Sequence, residues 1–342
     1  MSPRTRISDV ARLAGVAPST VSAVLNDVTG ARVKDSTRER VRRAADELGY
    51  APNALARGLR TRRSGTLALI SDVIATTPYA GQLIQGAQDA AWEAGHVLMV
   101  VNTGGDAAIE RRAMAVLRQQ QVGGVLWATM SHRVVPAPVP PNGTPLVLLD
   151  ARDEAGAVPS VVPDEEAGAR AAVAELAAHG HRRIGFVLDE NDSPASEGRT
   201  AGYRDALAER GLPVEDSLVA RAQSDSTGGE IAAGVLLDRP APPTAIFAFT
   251  DQMAVGVYRA AAARGLRLPA DLSVVGFDDL AVLAQELRPG LSSVALPHYA
   301  MGETAAATLL RLVEDPAAEV PAVQRVPTRI VRRASVGPAP RV

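Results

Sequence analysis

From residue 64 onward, short apolar runs alternate with alanine-rich amphipathic stretches, and no other feature constrains the fold as much. TLALIS (66–71), HVLMVV (96–101), GVLWAT (124–129) and PLVLLD (145–150) read as buried parallel strands. RIGFVLD (183–189), AIFAFT (245–250) and SVVGFD (273–278) continue the series, with helical patterns over 80–93, 164–179, 199–210 and 251–264. Strand–helix alternation of this kind predicts an α/β body of doubly wound parallel sheets, and the strand count suffices for two of them. The Pro-rich stretch 134–145 reads as a loop on the first half.

The first 63 residues follow a different pattern. ISDVARLA (7–14) places Ile7, Val10, Ala11 and Ala14 on one helical face, Gly15-Val16 breaks the run, and Pro18 opens a second helix. A third helix starts at Ser36-Thr37-Arg38-Glu39, a capping-box pattern, and carries Val41, Ala44, Ala45 and Leu48. Residues 49–63 form a basic linker in which only 53–59 has helical character.

Charge separates the same two regions. Residues 1–63 hold thirteen basic against six acidic residues, a net +7, which leaves the remainder with 23 basic against 32 acidic, a net −9. A basic head on an acidic body implies an anionic partner for the head alone. Helix–tight turn–helix in such a segment is an arrangement that inserts its second helix into the DNA major groove. By spacing alone, a small helical subdomain with a solvated basic face fits equally well.

Composition excludes several chemistries. The chain has no cysteine, so disulfides, thiolate metal sites and cysteine nucleophiles are absent. Lys34 is the only lysine, which removes a P-loop or Schiff-base lysine from the body. No G-x-G-x-x-G follows the first strand. The five histidines (His96, His132, His179, His181 and His298) contain one close pair, His179-Gly-His181, at a helix end where imidazolium is favourable, so no metal cluster is expected. Arg4, Arg6, Asp9 and Arg12 interrupt any apolar signal segment, and no apolar run approaches the roughly 18 residues of a membrane span, so a cytoplasmic protein is expected.

ISDVARLAGVAPSTVSAVLN followed by TRERVRRAADELGYAPNALARGL closely resembles the head of the LacI/GalR family of transcriptional regulators. HRRIGFV (181–187), RTAGYRDAL (199–207), FTDQMAVGVYRA (249–260), LSVVGFDD (272–279) and LSSV (291–294) extend the resemblance over nearly the whole chain. It implies a helix-turn-helix head (1–49), a hinge (50–63) and a periplasmic-binding-protein-like core (64–342). The core would divide into an N-subdomain of 64–161 with 293–321 and a C-subdomain of 162–292 with 322–342.

On this resemblance the DNA contacts are Ser8, Pro18, Ser19, Thr20, Ser22, Ala23, Asn26, Asn53, Arg57 and Leu59. Pro18, Ser19 and Ala23 face base edges, Thr20 and Ser22 phosphates or the helix surface, and Leu59 wedges into the central minor-groove step of a pseudo-palindromic operator. Pro18 has no donor and Ala23 offers only a methyl group, so direct readout is thin. The loop from Asn26 to Val33 is longer than the family norm.

Polar residues also collect at strand C-termini, where open α/β sheets bind ligands. The resemblance implies an effector site of Tyr79, Asp150, Arg199, Gln223, Thr250 and Asp278, with Arg199 and Asp278 as its principal grip. Thr250, Gln223 and Leu296 replace the asparagine, the aromatic and the polar residue that relatives commonly carry.

The implied function is a homodimeric, ligand-responsive repressor in which a sugar modulates operator binding, with no catalytic residues, cofactor, metal or membrane partner. The alternatives are a solute-binding receptor with the same core, a regulator answering to a nucleobase-type corepressor, and, third, a sugar-active enzyme. Some relatives form tetramers through a C-terminal leucine heptad; RRASVGPAPRV holds none, so a dimer is expected.

Overall fold

The computed structural model describes residues 7–25, 33–48, 50, 65–73, 77, 80–136 and 143–340. Two compact units divide the chain, Met1–Gly65 and Thr66–Val342.

The first unit contains α1 (Ile7–Ala14), α2 (Pro18–Leu25) and α3 (Asp35–Glu47). Gly15, at φ 64°, makes the turn after α1 that an L side chain resists. Val10 and Ala14 of α1, Val21 and Val24 of α2 and Val41 and Ala45 of α3 meet in a core of small residues. The capping box expected at Ser36–Glu39 does not form: α3 begins at Asp35 behind Lys34, whose side chain makes no cap. The Lys34 carbonyl accepts from the Thr37 and Arg38 amides, and Asp35 puts negative charge at the positive end of the helix dipole.

The second unit is built on two six-stranded sheets. The first holds β1 (Thr66–Ser71), β2 (Val97–Asn102), β3 (Gly124–Val135), β4 (Leu146–Asp153), β5 (Ser160–Pro163) and β11 (Val323–Val326), in the order β11-β5-β4-β3-β1-β2. All its pairings are parallel. The second holds β6 (Ile184–Asp189), β7 (Val219–Ala222), β8 (Ala245–Ala248), β9 (Ser273–Asp278), β10 (Ser292–Ala295) and β12 (Arg329–Val331), in the order β12-β10-β9-β8-β6-β7. Only the β10–β12 pairing is antiparallel there.

Two-residue alternation explains why both faces of β1 are apolar. Leu67 and Leu69 pack beneath α4 (Ala80–Glu93) and α11 (His298–Glu314), whereas Ala68 and Ile70 pack against α5 (Ala107–Gln119) on the other face. In the second sheet, α6 (Glu165–Ala178), α7 (Pro194–Glu209), α8 (Ser226–Leu237) and α9 (Asp251–Ala263) enclose a core centred on Phe186, Phe247 and Phe277. A short α10 (Ala281–Ala284) follows β9.

Several boundaries differ from the sequence expectation. β3 continues to Val135 through a register shift between Ala128 and Arg133, so the Pro-rich loop starts later than residue 134. α7 starts at Pro194 rather than 199, because Ser193 and Ser196 form a capping box. The chain passes between the sheets after Pro163, after Ala295 and between Val326 and Arg329. The second and third passages therefore lie a few residues beyond the expected 293 and 322, since β10 belongs to the second sheet and β11 to the first. The Asp164 amide donates to the Val326 carbonyl at 3.0 Å, tying the first and third passages together.

Candidate effector cleft and DNA-reading head

Asp150, in the second half of β4 of the first sheet, and Asp278, the last residue of β9 of the second, lie near enough for the charge of one to act on the other. Both have positive φ, 57° and 106°, as does Asp279 at 51°. Among the described residues these are three of only four non-glycine residues with positive φ, and backbone strain of this kind gathers at functional sites.

Arg199, on α7, acts on Asp150 and Asp278 with its charge and is almost fully buried. Its Nε donates to Glu165 Oε2 at 2.7 Å, its Nη1 donates to the Phe249 carbonyl, and its Nη2 stands 3.9 Å from Asp278 Oδ1. The guanidinium carbon lies 3.6 Å from the Phe277 ring centroid and 4.3 Å from that of Phe249, a cation–π sandwich.

Glu165 is the first residue of α6, immediately after the first passage between sheets. Two glycines of α7 let α6 come this close. A Cβ on Gly198 would sit 2.8 Å from Glu165 Cβ, and one on Gly202 would sit 2.2 Å from the Glu166 carbonyl oxygen. On the other side, His132 of β3 places Nδ1 3.7 Å from Glu165 Oε1, too long for a hydrogen bond.

Burial shapes the electrostatics. It pushes Asp150 up to about 8, with Glu165 adding to the effect and Arg199 opposing it. Asp278 is pushed well above the usual carboxylate range for the same first reason, again against Arg199. Burial also works against Glu165, but Arg199 and His132 outweigh it and hold this carboxyl below its ordinary value. His298, at the start of α11, is pushed down to about 4 by burial and is neutral at pH 7. Asp150 Oδ1 and both ring nitrogens of His132 are buried without a hydrogen-bond partner.

Open space flanks this cluster. A cavity of about 480 Å³ is lined by Asp278, Leu296, His298 and Arg329, and one of about 280 Å³ by His132, Arg152, Glu165 and Arg325. Among the described residues, no group of three or more His, Asp or Glu side chains is arranged to hold a metal ion.

Of the sequence-derived effector residues, the structure brings Asp150, Arg199 and Asp278 together. Thr250 caps α9, accepting from the Met253 amide at 3.2 Å, and only its neighbour's carbonyl reaches Arg199. Gln223 is exposed just beyond the edge strand β7, and Tyr79 lies outside the described residues. His181 is not the imidazolium its helix-end position suggested. It is buried, its pKa is lowered by that burial, and its nitrogens meet Thr244 Oγ1 at 2.9 Å and the Gly337 carbonyl at 3.1 Å. Glu165 and His132 were not legible as site residues.

In the head, Ser8, Pro18 and Ser19 are exposed, and Thr20, Ser22 and Ala23 half-buried, while Val21 and Val24 turn inward. α2 therefore leaves its N-terminal turn exposed. Asn26, Asn53, Arg57 and Leu59 lie outside the described residues.

Comparison with known proteins agrees with both units. Residues 6–53 match the family of bacterial regulatory proteins of the lacI type, and residues 173–336 match a periplasmic binding protein-like domain. The HTH-type transcriptional regulator DegA of Bacillus subtilis is 35% identical over 303 residues, which cover 87% of this chain and 88% of DegA. The chain belongs to the LacI family. Family members are DNA-binding transcriptional regulators, not enzymes, and this chain is one of them. A solved complex of the transcriptional regulator CelR with cellobiose superposes with a TM-score of 0.68 at 32% identity, covering 97% of this chain and all of that one. The lac repressor dimer bound to operator and the anti-inducer ONPF gives a TM-score of 0.75 at 26% identity, covering 98% of this chain and all of that one. No helix among the described residues is long and apolar enough to cross a membrane.

Proposed function

We propose that this LacI-family regulator is a homodimeric repressor that holds a sugar or sugar derivative between the two sheets of its body. The carrying observation is the buried cluster of Arg199, Asp278 and Asp150, drawn from both sheets, in which Asp278 ends β9; strand C-termini are where open α/β folds take ligands. A guanidinium with carboxyl groups around it offers both donors and acceptors to a polyhydroxylated molecule. The CelR complex supports this class, since that relative is 32% identical and binds cellobiose.

The head reads DNA through Ser8, Pro18, Ser19, Thr20, Ser22, Ala23 and Asn26, and Leu59 wedges the central step with Asn53 and Arg57 beside it. Two heads are needed for a pseudo-palindromic operator. The body offers a surface for pairing: Val97, Met99 and Val100 are exposed on the edge strand β2, near Trp92 of α4, which is 68% exposed. Apolar edges of this kind call for a partner. Ligand held across the passages between sheets biases their orientation, and DNA and ligand then change each other's affinity by the same factor.

Thermal-shift screening of the full chain against sugars and nucleosides tests the reading, because a ligand of the folded state raises Tm. A sugar that raises Tm and changes operator affinity supports it. A nucleobase or nucleoside as the sole responder would favour the corepressor alternative.

A further inference from the structure

The cavity of about 480 Å³ is lined from both sheets' layers, by Gln82 of α4 and Tyr299 of α11 and by Asp278 and Asp279 at the end of β9. His298 and Arg329, which follow the second and third passages between the sheets, complete its polar lining. Strand register sets the spacing along this wall. Ala295 of β10 is paired with Asp278 of β9 on one side and with Arg329 of β12 on the other, so the three residues form one row across the sheet. Two strand spacings put the Cα atoms of Asp278 and Arg329 about 10 Å apart.

The charges of this lining do not cancel. Asp279 is ion-paired with Arg333, Oδ1 to Nη2 at 2.7 Å. Asp278 is held in its neutral form, because burial, with Asp251, Glu165 and Asp150 nearby, outweighs Arg199. His298 is neutral as well. Asp89, which accepts from the Tyr299 hydroxyl, lies outside the lining, as does Asp251, which accepts from the Leu280 amide and the Ser293 hydroxyl. Arg329 remains, exposed and without an ion-pair partner among the described residues. The smaller cavity differs: Arg152 and Arg325 share its lining with Glu166 and Glu197, and Glu165 there is held by Arg199, so it carries no positive excess.

A neutral polyol would leave the Arg329 guanidinium to water, and a cationic ligand would be repelled by it. A carboxylate or phosphate matches its planar fork with two parallel hydrogen bonds. Resting on the reading of the cleft as an effector site, we propose that the effector is an acidic sugar, a sugar acid or a sugar phosphate, whose anionic group meets Arg329 at one end of the row while its hydroxyls meet Asp278 at the other. The cavity volume suits such a small molecule. A ligand seated there touches residues at two of the passages between the sheets, so the contacts that select it also favour one arrangement of the sheets over another.

The test uses the purified full chain and matched pairs: gluconate with glucitol, glucuronate with glucose, galacturonate with galactose, cellobionate with cellobiose, and glucose 6-phosphate with glucose. Thermal shift and titration calorimetry at low and high salt provide the readouts. The expected result is that the anion of at least one pair binds tenfold or more tightly than its neutral parent, with an advantage that shrinks as salt screens the contact. A response to carboxylates without the phosphate identifies a sugar acid, and the converse a sugar phosphate. Arg329→Gln should equalise the two members of the responding pair, and Arg329→Glu should reverse their order. Arg329 is exposed, so both variants should fold. Neutral parents binding as tightly as their anions, or an anion advantage untouched by Arg329→Gln, would overturn the inference while leaving a sugar effector standing. Silence from both members of every pair would overturn the inference and the sugar-effector reading together.

Discussion

Arg199 and Glu165 form an ion pair, Nε to Oε2 at 2.7 Å, in which each side chain is only 5% exposed. Arg199 belongs to α7 and Glu165 is the first residue of α6, two residues after β5 ends at Pro163, so the pair ties α7 to the segment by which the chain passes between the sheets. Removing one partner of such a pair leaves an uncompensated buried charge.

Glu165→Ala should therefore destabilise the body by about 3 kcal/mol in urea unfolding, with Glu165→Gln milder because it keeps a hydrogen-bond acceptor. The carboxyl is held below its ordinary 4.5, so the stability it contributes is present above that pH. It is lost as the pH falls below 4.5 through the folded-state value, and the variant's deficit should shrink there. A deficit that stays constant down to pH 3 would contradict this.

Asp150 has the opposite linkage. Its folded value of about 8 lies above the ordinary 3.8, so the folded state binds the extra proton between these values and stability falls as pH rises. Asp150→Asn should gain stability over wild type progressively from pH 5 to pH 8, by about a few kcal/mol at the upper end, seen as a widening Tm advantage. Parallel Tm profiles for the two proteins would refute the buried, proton-binding state.

Much of the fold could be read from the sequence because the central strands are continuous apolar runs. β5 (SVVP), β7 (VARA), β11 (VQRV) and β12 (RIV) could not. All four are only three or four residues long, too short for a run to stand out; β7, β11 and β12 are also edge strands with exposed or half-buried positions, while β5 is buried and paired on both sides but too brief to detect. In the site, Asp150 and Asp278 were legible because they end the apolar runs PLVLLD and SVVGFD, although β4 itself continues to Asp153, and Arg199 was legible through its RTAGY motif. Glu165 was not: Glu165 and Glu166 both look like acids placed for the helix dipole, and only the seating of α6 against Gly198 and Gly202 turns one inward. His132 was hidden because β3 continues past its apolar run through a register shift.

The head has a core of valine and alanine side chains and few residues to spare. Val21→Ala should cost about 2 kcal/mol, enough to unfold much of the head, abolishing operator binding while the melting of the body is unchanged. Circular dichroism and a DNA-binding titration on the same sample check both halves of this statement.

If β2 and α4 form the pairing surface, placing charge there should dissociate the dimer. Trp92→Glu with Val97→Asp is expected to give a monomer by light scattering at micromolar protein and to weaken operator binding at least tenfold. Both positions are exposed, so folding should survive. An unchanged dimer would move the interface elsewhere, for instance to exposed Ile231 and Val235 of α8.

The most direct test of the account as a whole is selection of duplexes from a random pool by the full chain, followed by a salt titration on the enriched sequence. The expected outcome is an inverted repeat of two half-sites, with affinity falling steeply and log-linearly with salt as arginine–phosphate contacts release counterions. Enrichment of no motif, or of a single unsymmetrical site with salt-insensitive affinity, would contradict a paired, operator-reading head.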